Sequence, residues 1–193
     1  ESGTITKYFN HPKGFTLGDL QYPADIFMKW SVAEKEAIGI HEVIFDNSNF
    51  KDEKWYINTN QSFAFADGIV TASYGTATPK AHADRNGTDR DGVELNPIVV
   101  IEGLKTKLIK NLKAQVAGIL SETDWYITRN TEKSTAIPSA VSTHRDAVRT
   151  KQASMETAIT NAADTAALET LHTYTTTDGV QSRPLGELPV LES

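Results

Sequence analysis

The chain has no cysteine, which excludes disulfides, thiolate nucleophiles and the common structural zinc sites together. It also lacks any apolar run near the roughly 20 residues that a membrane-spanning helix requires, so no membrane partner is expected. Nor do Lys and Arg cluster: 19 basic residues are scattered among 25 acidic ones, for a net charge of −6. A phosphate backbone needs a concentrated positive field, and no nucleic-acid partner is expected either. No signal-peptide pattern opens the mixed, polar first twenty residues. The chain starts at Glu1 and not at Met, so an initiator or short leader is expected to be missing from it.

Common enzyme motifs are missing too. There is no P-loop, no G-x-G-x-x-G, no G-x-S-x-G elbow and no H-E-x-x-H. The histidines His11, His41, His82, His144 and His172 have no second ligand at helical spacing. Asp84, Asn86, Asp89 and Asp91 invite a calcium-loop reading, because hard cations want several oxygens on a tight turn. The spacing fails the EF-hand pattern: Asp89 stands at the glycine position and Leu95 at the final glutamate position. An ordinary charged linker accounts for the stretch. Asn86-Gly87-Thr88 is a glycosylation sequon, with nothing to indicate a secretory route. No catalytic residue, metal or cofactor is expected, and the chain reads as a non-enzyme.

What is present divides along the chain, and the predicted fold class is α+β. Residues 1–80 read as a small antiparallel β-rich domain with one short helix. Asp67-Gly68 sits between the alternating runs of residues 62–66 and 69–74, the signature of a two-residue hairpin. Strands are also expected at 42–45 and 55–57. Ser31 and Glu34 make a capping box for the helix, with Gly39 as its stop. Ile26, Phe27 and Trp30, just ahead of it, are expected to be buried.

Residues 81–95 are polar and read as a linker. Residues 96–172 read as a helical hairpin or bundle. Asn96 is the expected cap of its first helix, with Pro97 at the first helical position. Ile101, Leu104, Leu108, Leu112, Val116 and Ile119 recur with the period of a straight amphipathic helix. Lys105, Lys107, Lys110 and Lys113 read as its solvated face. Pro138-Ser139 opens a second helix with Val141, Ala147 and Val148. A third segment runs from about residue 153 to 171, with Met155, Ile159, Ala162, Ala166 and Leu171 as buried candidates. Asp164-Thr165 either recaps or kinks it. Residues 173–193 read as an extended tail, disordered or laid along a partner.

The most informative stretch is residues 120–149, LSETDWYITRNTEKSTAIPSAVSTHRDAVR. Asp124-Trp125-Tyr126 reads either as an exposed interface anchor or as an intramolecular wedge. In the wedge, Trp125 packs between helices while Asp124 pairs with Arg145 or Arg149 or caps local backbone. The wedge is the expected arrangement, with His144, Arg145 and Arg149 completing the site.

Thr123-Asp124-Trp125, then Ala136-Ile137-Pro138, then Thr143-His144-Arg145-Asp146-Ala147-Val148-Arg149 resembles a segment of the bacteriophage tail fibre assembly proteins, or tail assembly chaperones. Tyr22-Pro23-Ala24 followed by residues 33–40 is similar to a block in phage tail reading frames. Two departures stand out: His144 replaces a commoner Tyr, and a polar tail extends past the usual end. The resemblance implies a virion tail component assembled in the host cytoplasm, with other tail, fibre or baseplate proteins as partners. It also implies a homo-oligomer, trimer or hexamer, although no sustained heptad repeat supports a coiled coil. The tail argues for a subunit that stays in the particle; a transient chaperone is the alternative. A host-glycan binding module using Trp55, Tyr56, Phe63, Phe65 and Tyr74 is a further one.

Overall fold

The structure, a computed structural model, describes residues 3–191; Glu1 and the last two residues of the expected tail lie outside them. The chain is α+β, with strands toward the N-terminus and helices toward the C-terminus. It divides into two units, one ending at Thr78 and the other beginning at Pro79.

In the first unit β1 (Phe15–Leu17) and β2 (Leu20–Tyr22) form a hairpin. Two short helices follow, α1 (Ile26–Lys29) and α2 (Val32–Glu36). The expected capping box of α2 is present: the Glu34 amide donates to Ser31, and the Glu34 carboxylate accepts from the Ser31 amide at 2.8 Å. Its end is a Schellman motif, in which Ile40 N–H donates to the Lys35 carbonyl and Gly39 N–H to that of Glu36. Ile26 is buried, while Phe27 and Trp30 are half-buried in a chain of ring contacts with Phe9, Phe15 and Tyr22.

The remaining strands are β3 (Val43–Asp46), β4 (Tyr56–Ile57), β5 (Gln61–Ala66) and β6 (Ile69–Tyr74). Asp67 and Gly68 take φ of 52° and 79°, the left-handed pair of a type I′ turn, and join β5 to β6 in register. The three-stranded sheet has the order β3-β6-β5. Contrary to the antiparallel expectation it is mixed, because β3 runs parallel to β6. The connection from Asp46 to Ile69 is long enough to carry the chain back past its starting end, as a parallel pair requires. Val70 and Ala72 are buried at its centre.

The second unit departs from expectation at its start. A two-residue strand, β7 (Thr78–Pro79), lies at the junction. Residues 81–95 are not a free linker. They contribute β8 (Arg85–Asn86), which pairs with β9 (Val100–Ile101), and a bridge between Thr88 and Glu94. Buried Gly87 donates its N–H to the Val99 carbonyl at 2.6 Å. Asn96 and Pro97 therefore cap no helix, and Ile101 lies on an exposed strand; the β-branched run of residues 98–101 favours extended backbone. The first helix, α3 (Leu104–Ser121), starts after Gly103. A Cβ at Gly103 would lie 2.4 Å from the Ala83 carbonyl, so only glycine permits that approach. Asp84 accepts the Gly103 N–H at 2.8 Å and closes the loop.

Helix α4 (Asp124–Lys133) was not anticipated. Pro138 does open a helix, but α5 (Ser139–Asn161) runs without a break through residues expected in two segments. The break comes at Asp164, whose side chain accepts the Ala167 N–H and recaps the chain as α6 (Thr165–His172). Lys105 donates to the Thr160 carbonyl and Lys113 pairs with Glu156, while Arg145 reaches Leu120. These pairings run in opposite senses along α3 and α5, which are therefore antiparallel. Two lysines of the expected solvated face thus tie the helices together. Val148, Met155, Ile159, Ala162 and Leu168 are buried, whereas Ala147 and Ala166 are exposed.

The tail is not extended. β10 (Thr175–Thr177) and β11 (Val180–Ser182) pair about a second left-handed turn, Asp178-Gly179. Leu185 is then buried, with its N–H on the Leu171 carbonyl, and Arg183 and Tyr174 both hold Glu187. An Asp-Gly pair between β-prone residues carries the same turn signal here as at residues 67–68.

Candidate functional site at the joint of two helices

Helix α3 ends at Ser121 and α4 begins at Asp124, so two residues make the bend. Thr123 is buried in it, its hydroxyl donating to the Leu120 carbonyl at 3.1 Å. Across the bend lies Arg145 of α5, 7% exposed. One guanidinium nitrogen donates to the Leu120 carbonyl at 2.7 Å and to the Thr123 hydroxyl at 2.6 Å. The other donates to Asp124 Oδ1 at 2.9 Å. The cation thus meets the negative end of α3, and the anion sits at the positive start of α4, so each charge opposes a helix dipole of the other sign. The planar fork serves three acceptors at once, which a lysine ammonium could not do with the same geometry.

Of the two partners expected for Asp124, Arg145 is the one used. Arg149 pairs with Asp146 on its own helix and is exposed. His144 is buried beside Arg145, and among the described residues no hydrogen bond of the joint involves its ring. Thr123 was not anticipated as part of the site, although its place one residue before Asp124 was visible.

Trp125 corrects the wedge. It is 50% exposed, not enclosed as a wedge would be. Its ring centroid is 3.7 Å from that of Tyr126, and the Arg129 guanidinium lies 4.8 Å from it. The same cation is 5.5 Å from Tyr126. Because Thr123, Tyr126, Arg129 and Asn130 form the partly covered side of α4, Trp125 and the exposed Ile127 fall on the other. The joint fixes the direction in which this stack is presented. Within the joint the Thr123 hydroxyl is engaged with the Leu120 carbonyl and Arg145, and the Asp124 carboxylate with the same guanidinium.

Elsewhere, residues of the calcium-loop reading are engaged in holding the loop. Asp89 Oδ1 accepts from the amides of Asp91 and Val93, and Asn86 donates to Glu94. The Gly103 amide, then the Thr106 hydroxyl, hold the Asp84 carboxyl below its ordinary range. Among the described residues no group of three potential metal ligands forms. A groove of about 470 Å³ at the α5–α6 bend is lined mainly by alanines, with no ionisable side chain. The glycan reading loses its central residue: Trp55 is buried, with the Lys54 ammonium 4.5 Å from its ring. Phe63 and Phe65 face Tyr8 and His41. No family model, no curated protein and no solved structure matches this chain.

Proposed function

We propose that the chain is a non-enzymatic structural or adaptor protein of a bacteriophage tail that works by binding other tail, fibre or baseplate proteins. The resemblance of residues 120–149 to tail fibre assembly proteins supplies the tail context. The observation that carries the binding role is Trp125, half exposed on the outer side of α4 and backed by Tyr126 and Arg129, on a helix whose origin Arg145 fixes. Aromatic and arginine side chains are the commonest anchors of protein interfaces. A second observation supports it. The chain exposes 13434 Å², against about 11,000 Å² for two entirely separate compact bodies sharing its mass in proportion to length. Apolar side chains such as Met28, Ile44, Phe45, Ile98 and Val190 are among those left in solvent.

The alternative is a transient assembly chaperone, for which uncovered apolar groups serve equally well. The tail no longer argues for lasting residence, since residues 173–187 fold back on the chain's own second unit. Mass spectrometry of salt-washed virions separates the two: the chain is expected among the retained proteins, and its absence there would select the chaperone. Pull-down of neighbouring tail gene products tests binding itself. Capture unchanged in Trp125→Ala would remove the stack from the argument.

A further inference from the structure

The first unit contains a sheet edge with a groove beside it. Strand β5 is the outer strand of the order β3-β6-β5 and, at six residues, shares the greatest strand length with β6. In a two-residue hairpin the pair flanking the turn exchanges ladder bonds, and such pairs alternate along the strands. Ala66, Ala64 and Ser62 therefore bond to β6, while the main-chain groups of Gln61, Phe63 and Phe65 face outward. None of those outward groups has a main-chain partner elsewhere among the described residues. A groove of about 590 Å³ runs beside them, lined by residues 3–5 and 61–65.

We infer that this edge is a self-association surface, on which β5 of a second copy adds antiparallel and makes one continuous six-stranded sheet. Charge selects the occupant. The chain carries −6, so copies repel unless they meet where no charge lies, and residues 61–66 contain none. The opposite edge, β3, ends in Asp46 and follows Glu42, which an antiparallel self-pairing would carry into the contact. Pairing centred on Phe63 matches each outward group to another. Phe63 meets its own counterpart, Gln61 meets Phe65, and Ser62 stands opposite Ala64. The contact is two-fold, so the β5 edge is used up after two copies and the charged β3 strands become the outer edges of the joined sheet. A ladder this short buries less than the roughly 1,200 Å² of a standard interface. The dimer is accordingly weak, with a dissociation constant on the order of tens of micromolar.

Sedimentation equilibrium of the full chain from about 1 to 500 µM, spanning that constant, is the test. The average mass is expected to rise from 21.2 kDa toward twice that value. Ser62→Lys combined with Ala64→Lys sets lysines opposite lysines. It should keep the mass monomeric throughout, with an unchanged circular dichroism spectrum. Because the two lysines lower the net negative charge, general repulsion cannot account for that loss. Amide exchange needs no variant: Phe63 and Phe65 should become protected with concentration, while Ala64 does not change. A wild-type chain that stays monomeric overturns the inference. So does a dimer that survives the double substitution, or one abolished instead by Ile44→Lys on β3.

Discussion

Removing the Arg145 side chain would leave the Leu120 carbonyl and the Thr123 hydroxyl without their charged donor in a buried bend. Arg145→Ala is expected to cost about 1.5–3 kcal/mol, the range for hydrogen bonds to a charged group, read by urea unfolding. Asp124→Asn should cost less than about 1 kcal/mol, because that carboxylate is 60% exposed and water screens it. Trp125→Ala should change stability by no more than about 0.5 kcal/mol, as surface substitutions do. A wedge would have cost about 3–5 kcal/mol, so one melting curve distinguishes them. The Asp124–Arg145 pair was legible in the sequence because both residues belong to one short, ordered segment. The place of Trp125 was not. Residues 124–133 have no apolar stripe, so nothing marked them as a helix whose rotation turns the indole outward.

Elements with strong local chemistry could be read directly. The Ser31 and Glu34 box, the Asp67-Gly68 turn and the Asp164 cap each rest on residues within a few positions of one another. Elements set by distant partners could not. The start of α3 depends on Ala83 and Asp84 meeting Gly103, a contact invisible in linear order. Its acid sensitivity follows. Asp84 has a lowered pKa in the fold, so its contribution is present above the ordinary carboxylate value near 3.8 and is lost as pH falls through the depressed one. Asp84→Asn should flatten the acid limb of the stability profile below about pH 4. An unchanged limb would place that sensitivity elsewhere. The β10–β11 hairpin is likewise held from outside, since a lone two-stranded ribbon is marginal in water. Leu185→Ala, which empties a buried site, should cost about 2–5 kcal/mol. It should also speed amide exchange across residues 175–182 before the rest of the second unit opens.

Across the whole molecule, buried apolar side chains are unevenly shared. Ile26, Trp55, Val70 and Ala72 serve the first unit, while the second has Leu112, Val116, Val141, Val148, Met155, Ile159, Ala162, Leu168 and Leu185. The α+β class was legible because hydrophobic period changes along the chain; the parallel β3–β6 pairing was not, since period says nothing of strand direction. Polarity misled at residues 81–95, where hydrophilic side chains clothe an ordered main chain. That order has a chemical outcome. In an open chain, asparagine before glycine loses its amide when the following nitrogen attacks the side-chain carbonyl and expels ammonia. Here that nitrogen belongs to Gly87, enclosed and donating to Val99, while the Asn86 amide is tethered by Glu94. The folded protein should therefore age slowly at the very dipeptide where its unfolded form would deteriorate first.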